Sequence, residues 1–346
     1  MLVTILASAV FLMTMLPLHA AGVEPNDSLW RHQWYLRQIR APEAWTVTTG
    51  TQRVIVAVID GGVDIDHPDL RENVWRNEQE IPGDKIDNDG NGYVDDVYGW
   101  NFVTRSNDVR PIYKTKQADE AWSHGTIVAS LIAAKGNDEQ GMAGVAWNAK
   151  FMPLVVLDAD GGGEVPNVIS AMRYAVNHGA SIVNLSLVGT EEDPNLQEMI
   201  RRVKDAGVLV VAATGNTDEE KEGQNLDEIP LFPVCSDGFE NDVLGVSGTD
   251  TLDQKAPYAN YGKRCTDVAA PAQQLFAARP TYGHVRRKGS APAGYINSIT
   301  GTSLAAPIVA GVAALVKSVR PTWTPMQIVQ HLRATAVPIE DGLPSK

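Results

Sequence analysis

The 346-residue sequence lacks the features that mark several large classes of protein. It has only two cysteines, Cys235 and Cys265, which excludes a disulfide-dense scaffold and a four-cysteine zinc site. Basic residues are scarce: 29 Lys and Arg stand against 42 Asp and Glu, for a net charge of -13. Such an acidic surface argues against a nucleic-acid partner, because phosphate binding needs a basic footprint. With 44% hydrophobic and 21% charged residues, the composition is typical of a globular protein.

Long apolar runs are also scarce, since the only one lies at the extreme N-terminus, and a polytopic membrane protein is therefore excluded. Met1 to Leu18 contains no charged residue and is short for a membrane span. The small residues Ala20 and Ala21 follow it, as at a signal-peptide cleavage site. We expect residues 1–20 to be a signal peptide, the body to be secreted or periplasmic, and no membrane span to remain after cleavage. An uncleaved anchor and a buried core helix are the alternatives.

The body of the chain alternates β-branched apolar runs with helical patterns. Arg53–Asp60 reads RVIVAVID, as expected of a strand buried on both faces. This alternation predicts an α/β fold, a mostly parallel sheet covered by helices, whose ligands bind beyond the carboxyl ends of the strands. We see no repeat or linker and expect a lead-in segment at 21–50 and one domain at 51–346. The other predicted strands are 151–158, 181–187, 208–214 and 243–249, and the predicted helices are 124–135, 165–179, 195–207, 303–319 and 325–336.

Three polar residues stand where these apolar patterns begin or end. Asp60 closes the first strand, while His124 and Ser303 each open an apolar helix. Taken alone, each has an ordinary structural explanation, such as a helix N-cap for the serine. Taken together, they form the set that nucleophilic catalysis needs. A serine hydroxyl requires a base, and the base requires a carboxylate that fixes its tautomer.

Four segments around these positions resemble the subtilisin-like serine proteases, the subtilase family: VIDGGVDIDHPDL, HGTIVASLIA, AATGN and GTSLAAPIVAG. The chain order Asp, His, Ser is also that of subtilisin. The resemblance runs from about Pro25 to about Ala336 and implies a three-layer α/β/α domain on a mostly parallel sheet. It further implies an exported, monomeric serine endopeptidase that cleaves a protein or peptide and needs no cofactor for catalysis. The family's final glycine-rich segment is not recognisable, so we expect the peptidase domain at 51–346 to be short at its C-terminus.

The resemblance implies a role for each matching residue. Asp60 would orient the general base His124, and Ser303 would attack the scissile carbonyl. Asn216 would donate to the oxyanion together with the backbone N–H of Ser303, although an asparagine after a strand and a glycine is also a common turn residue. Gly61 replaces the usual Ser or Thr, so a hydroxyl near the carboxylate is missing. A non-catalytic scaffold with the same fold is the second hypothesis, and the intact triad argues against it.

The resemblance also implies that substrate binds by strand addition to two edges of the cleft. One edge matches residues 161–163, which could equally be a flexible turn, and the other matches residues 186–189, the wall of the pocket for the residue before the cut, P1. Family members commonly carry glycine in place of Val188. A Val188 side chain in the pocket would favour small P1 residues, whereas one in the core would leave specificity unchanged. The candidate substrate-binding residues are Gly161, Gly162, Gly163, Ser186, Leu187, Val188 and Gly189.

One loop suggests a cation. Residues 84–96 read DKIDNDGNGYVDD, and from Asp87 the spacing imitates the first half of an EF-hand loop. The position of the bidentate glutamate is occupied by Tyr98. A structural calcium ion and a solvated acidic turn are both consistent with this pattern. The candidate ligands are Asp87, Asp89, Asn91, Tyr93 and Asp95.

The two cysteines flank the predicted strand 243–249 and the loop that follows it. Export would place them in an oxidising compartment. We predict a disulfide between Cys235 and Cys265, worth roughly 3–4 kcal/mol in the chain-entropy model for a loop of about 30 residues. Two buried free thiols are the alternative.

Overall fold

The computed structural model describes residues 22–113, 121–217, 222–236, 242–282 and 291–339, so the predicted signal peptide lies outside the described residues. Seven parallel strands form a central sheet in the described part. These strands are β1 Ile55–Asp60, β2 Trp100–Asn101, β3 Lys150–Val155, β4 Ile182–Leu185, β5 Leu209–Ala213, β6 Val243–Thr249 and β7 Val268–Pro271. Their order across the sheet is β2-β3-β1-β4-β5-β6-β7.

Helices cover both faces of this sheet, and the predicted three-layer α/β/α architecture is confirmed. The helices are α1 Trp34–Gln38, α2 Ala41–Trp45, α3 His124–Ala133, α4 Val165–Asn177, α5 Pro194–Asp205, α6 Thr302–Val319 and α7 Pro325–Thr335. α4 and α5 pack on one face. α3 and α6 pack on the other, together with α1, α2 and α7. A separate antiparallel pair, β8 Leu275–Ala278 and β9 Tyr295–Ile299, lies beside α3.

The uninterrupted apolar run of β1 follows from burial on both faces. Successive side chains of a strand point to opposite sides of the sheet. Val56 and Val58 enter the core beneath α3 and α6, while Ala57 and Ile59 enter the core beneath α4 and α5. None of the four is exposed to solvent. Asp60 therefore arrives, fully buried, at the carboxyl edge of the sheet.

Helix α6 is the central helix of its layer. It packs against α3, β1 and each of the strands β4 to β7. It is the one helix in the described ranges that is long and apolar enough to cross a membrane, with a mean hydropathy of 1.6, but 67% of that stretch is buried inside the fold. This burial makes α6 a core helix, and its apolar composition is explained by the sheet beneath it.

The main strands and helices predicted from the sequence are present, with ends that shift by a few residues. α7 begins with a capping box, because Thr324 and Gln327 each accept from the backbone of the other. The sequence prediction missed β2, β7 and the β8–β9 pair. β2 is only two residues long, and the others are short strands without a distinctive alternation.

The predicted disulfide is confirmed: Cys235 and Cys265 are bonded, with their Cα atoms 4.9 Å apart. Their separation of 30 residues spans β6. The alternative of two free thiols is therefore wrong.

Candidate active site

At the carboxyl end of β1, the buried carboxylate of Asp60 lies against the partly exposed ring of His124. The Nδ1 atom of His124 lies 2.8 Å and 3.0 Å from the two carboxylate oxygens of Asp60. The backbone N–H of Gly61 donates to the same carboxylate over 2.7 Å. Because an ionised carboxylate can only accept, the histidine ring must carry a hydrogen at Nδ1. When the ring is neutral, its Nε2 atom carries no hydrogen and can accept a proton.

Glycine at position 125 allows the helix of His124 to sit this close to β1. A Cβ atom on Gly125 would lie 2.5 Å from the carbonyl oxygen of Gly61 and 2.7 Å from that of Gly62. Such contacts are with backbone and cannot be relieved by rotating a side chain. Gly61 differs, since the only described atom within 4 Å of a Cβ there would be the carbonyl oxygen of Ala121, at 3.8 Å. The missing hydroxyl at position 61 is therefore not imposed by packing.

Ser303 lies in the first turn of α6 and is tied to the neighbouring strand β4. Its carbonyl oxygen accepts from the hydroxyl of Ser186 over 2.8 Å. That hydroxyl accepts in turn from the side-chain amide of Asn184, at 3.0 Å. Both residues are buried at the end of β4. The main chain of Ser303 is thus fixed to the strand that pairs with β1.

Asn216 follows β5, and the oxygen of its side-chain amide is fixed by a hydrogen bond. Its Oδ1 atom accepts from the backbone N–H of Thr302 over 2.9 Å, which leaves its NH₂ group to point elsewhere. The NH₂ group of Asn216 lies next to an open space beside Gly301. A Cβ atom on Gly301 would lie 3.2 Å from Ser303 Oγ, 3.6 Å from Asn216 Nδ2 and 3.9 Å from Ser303 N. A hydroxyl and two N–H donors therefore surround one space, which the absence of a side chain at Gly301 keeps open.

This arrangement has the parts required for acyl transfer: a hydroxyl, a histidine oriented by a buried carboxylate, and two donors around one space. Residues 51–345 match the model of the peptidase S8, or subtilase, family. The chain belongs to the subtilase family. It is accordingly a serine-type endopeptidase, a hydrolase that acts on peptide bonds.

Individual subtilases support the assignment. The chain is 32% identical to thermitase of Thermoactinomyces vulgaris, over 85% of this chain and 85% of that protein. It is 31% identical to subtilisin BL of Lederbergia lenta, over 88% of this chain and 90% of that protein. Among solved structures, a protease of Pseudoalteromonas arctica matches with a TM-score of 0.71 and 29% identity, over 91% of this chain and 93% of that one.

The predicted substrate edges of this subtilase both lie at the carboxyl end of the sheet. Residues 161–163 form an exposed turn after β3, closed by the carboxylate of Asp158, which accepts from the backbone of Gly162 at 3.0 Å. A Cβ on Gly161 would lie 3.5 Å from the Cβ of Ala121, three residues before His124. This turn therefore lies beside the segment that leads into His124, and its residues are exposed.

The second edge follows β4. Ser186 is buried, Leu187 is partly buried against the core, and Gly189 pairs with Phe232 in both directions, at 2.7 and 2.9 Å. Val188 is 42% exposed. The alternative in which this side chain points into the core is therefore wrong.

The acidic loop at residues 84–96 brings together only part of the predicted ligand set. Carboxylate oxygens of Asp87, Asp89 and Glu80 lie within 4.8 Å of one another. Glu80 is not in the predicted ligand set. Asp95 points elsewhere, since its two oxygens accept from the backbone N–H groups of Gly83 and Lys85 at 2.7 and 3.1 Å. Glu80 precedes the acidic run, and no local spacing indicates it.

Hydrogen bonds satisfy the carboxylates of this loop. Asp89 accepts from the side-chain amides of Asn77 and Asn91 at 2.9 and 3.0 Å. Burial acts to raise the pKa of Asp89, but hydrogen bonds from the Asn77 side chain and from the backbone N–H of Asn91 outweigh it and lower the pKa below its ordinary value. Asn91 accepts from the backbone of Tyr93 at 2.7 Å, and the Tyr93 ring packs against Trp100.

A different pair of carboxylates is not satisfied. Asp27, before α1, and Asp69, after β1, are both buried, and each has one oxygen that finds no hydrogen-bond partner among the described residues. The second oxygen of Asp27 accepts from Asn137, and that of Asp69 accepts from Met142 at 2.8 Å, so both face the loop that follows α3. Burial raises the pKa of each from 3.8 to about 6. Neither residue is in the ligand set predicted from the sequence.

Proposed function

We propose that this subtilase is an exported endopeptidase in which Ser303 is the nucleophile, His124 the general base and Asp60 the residue that orients the base. Asn216 Nδ2 and the backbone N–H of Ser303 are the donors to the oxyanion. The observation that carries this proposal is the space beside Gly301, within 4 Å of Ser303 Oγ and of both donors.

Each step uses groups of the chain itself. As Ser303 Oγ attacks the scissile carbonyl, the hydroxyl proton moves to Nε2 of His124, and Asp60 stabilises the imidazolium that forms. The carbonyl oxygen becomes negative and accepts from the two donors, which are fixed before the reaction begins. His124 then gives its proton to the leaving amine, and the C–N bond breaks. Water, deprotonated by the same nitrogen, releases the acyl group and restores the hydroxyl.

A fluorophosphonate probe tests the assignment, because it reacts with a serine only where a base and an oxyanion site are already in place. We expect stoichiometric labelling at Ser303, located by mass spectrometry of the digested protein. Ser303→Ala is the matched control and should not be labelled at all. Folded protein that takes up no label would contradict the proposal and support the scaffold hypothesis.

We also propose export with cleavage of residues 1–20, after which the enzyme is a monomer without a membrane span. The uncharged apolar N-terminal run and the Cys235–Cys265 disulfide support it, because such bonds persist in oxidising compartments. N-terminal sequencing of protein recovered outside the cytoplasm tests the cleavage, and its mass in solution tests the monomer. A mature protein that begins at Met1 and stays with the membrane would contradict export with cleavage.

Calcium is common in subtilases, and the proposal places a structural calcium ion at Asp27 and Asp69. The unpartnered oxygens of this buried pair support the choice, since calcium prefers oxygen ligands and carboxylates. The ion would neutralise two charges that burial otherwise disfavours. The acidic loop is the weaker candidate, because backbone and amide groups already satisfy its carboxylates.

A further inference from the structure

We infer that the P1 pocket of this enzyme is closed by two side chains, Val188 and Leu231, and that the enzyme cleaves after small residues, Gly, Ala or Ser. The inference rests on the proposed catalytic roles, because the pocket is located relative to Ser303 and Asn216. It adds Leu231, which no sequence motif indicates, and a substrate class.

The P1 side chain must lie between two chain segments. An acyl group on Ser303 Oγ has its carbonyl oxygen near Asn216 Nδ2, so its side chain extends beside these residues. Residues 186–189 flank this region, because Ser186 holds the carbonyl of Ser303. Residues 214–216 flank it on the other side, because they carry Asn216. The two segments leave adjacent strands, paired at Leu185 and Ala212, so a cleft between them opens next to the reacting carbonyl.

Gly215 marks the interior of this cleft. It has a φ of +82° and no side chain, and it directly precedes Asn216. A Cβ atom on Gly215 would lie only 3.3 Å from Cγ2 of Val188. Since Val188 is 42% exposed, its side chain is not in the core, and the short distance from Cγ2 to this Cβ position shows that it faces Gly215. A β-branched side chain has few rotamers, and Val188 cannot easily move aside.

Leu231 approaches the same point from another segment. Its Cδ1 atom would lie 3.1 Å from the Gly215 Cβ position. The backbone pairing of Gly189 with Phe232 places Leu231 there, 43 residues along the chain from Val188. Asn260 closes the remaining side: its Nδ2 atom would also lie 3.1 Å from that position, and it donates to the carbonyl of Thr214.

Methyl groups of Val188 and Leu231 and the amide of Asn260 thus each lie within 3.3 Å of the Gly215 Cβ position, next to the proposed oxyanion donor Asn216. A methyl or hydroxymethyl side chain can fit at the entrance of such a cleft, but an aromatic ring would need both Val188 and Leu231 to be displaced. A hydrophobic pocket discriminates by tens to a few hundredfold for a mismatch of one or a few carbons. We expect wild-type kcat/KM to favour Ala over Phe at P1 by that range.

Peptide p-nitroanilides that differ only at P1, Ala or Phe, test the inference on wild type, Val188→Gly, Leu231→Ala and the double variant. Fluorophosphonate titration of active sites normalises each rate to correctly folded enzyme. We expect the Phe-to-Ala ratio of kcat/KM to rise in each single variant and to rise most, by tens of fold, in the double variant. Leu252→Ala, at a leucine that is 74% exposed, is the matched control and should leave the ratio unchanged.

The outcomes separate the two proposals. Protein that neither reacts with the probe nor cleaves either peptide contradicts the proposed function. Enzyme that reacts with the probe but prefers Phe, with a ratio that the double variant does not move, overturns the inference and leaves the function standing. If Val188→Gly is poorly folded, Val188→Ala serves in its place, and a ratio unchanged in both valine variants also overturns the role of that residue.

Discussion

The acidic loop at residues 84–96 and the pair Asp27–Asp69 both bury negative charge, but they do so in opposite ways. In the loop, hydrogen bonds from neighbouring amides hold the pKa of Asp89 below its ordinary value. In the pair, burial without enough partners raises the pKa of Asp27 and of Asp69 to about 6. Asp87 and Asp89 of the acidic loop thus accept hydrogen bonds, while Asp27 and Asp69 each keep one oxygen without a donor among the described residues. The number of unsatisfied oxygens, rather than the number of acids, indicates where a cation is needed.

A polar group without a partner is also informative in the active site, and a substitution there should have the largest effect of those we predict. Asn216 has one end fixed by Thr302 and the other left to act. Replacing it in Asn216→Leu should lower kcat by roughly 10²–10³ with little change in KM, a size taken from the removal of the equivalent donor in subtilisin. Steady-state kinetics on a P1 Ala peptide measure this. The exposed Asn195 provides a control, Asn195→Leu, and an unchanged kcat in Asn216→Leu would reduce Asn216 to a turn residue.

Asp69→Asn tests this comparison, because its effect on stability should have opposite signs with calcium and with EDTA. Tested in a Ser303→Ala background to prevent self-digestion, the aspartate protein should gain about 2.7 kcal/mol when calcium is present at a hundred times its Kd. The variant should lose most of this gain. In EDTA at neutral pH, however, the variant should be at least as stable as its parent, because it buries no charge. Thermal melts with calcium and with EDTA measure both effects, and a variant less stable in EDTA with its calcium response intact would contradict the proposed site.

The pH dependence in EDTA follows from the same two residues. Folding raises their pKa from 3.8 to about 6, so the folded state binds protons more tightly than the unfolded state. Their contribution to the free energy of unfolding therefore falls as pH rises from about 4 to about 6, and saturating calcium should abolish this fall. The melting temperature of Asp69→Asn minus that of its parent measures the part of this effect that Asp69 contributes. A difference that does not change with pH would count against it.

The smallest expected change is in the calcium response of Asp89→Asn. This variant should lose stability because the carboxylate that accepts from Asn77 and Asn91 is gone, and the loss is on the order of 1–2 kcal/mol. The loss should be equal in calcium and in EDTA. A calcium response that disappears in Asp89→Asn and persists in Asp69→Asn would reverse the comparison and make the loop the site.

What the sequence could predict was what local patterns determine. Asp60, His124 and Ser303 stood out because each interrupts an apolar run at its end, and a residue at the end of a strand or at the start of a helix reaches the same edge of a parallel sheet. The disulfide was predictable because the chain offers only one pairing. β1 was predictable because both of its faces are buried.

What the sequence could not predict depends on contacts between distant segments. Leu231 has no motif of its own and reaches Val188 only through the pairing of Gly189 with Phe232. Asp69 lies within a recognised motif, but its unpaired oxygen becomes apparent only once the loop after α3 is in place. Glu80 joins Asp87 and Asp89 through a turn that their spacing does not encode.

The position of α6 in the chain has a consequence for biosynthesis. Asp60 is made early, His124 later, and Ser303 only after all seven strands of the sheet have been synthesised. The helix that carries Ser303 also covers the inner face of β1 and of β4 to β7. A chain that is interrupted before Thr302 therefore lacks both the proposed nucleophile and the helix that packs on five strands of the sheet. We therefore expect such a product to be both inactive and unstable.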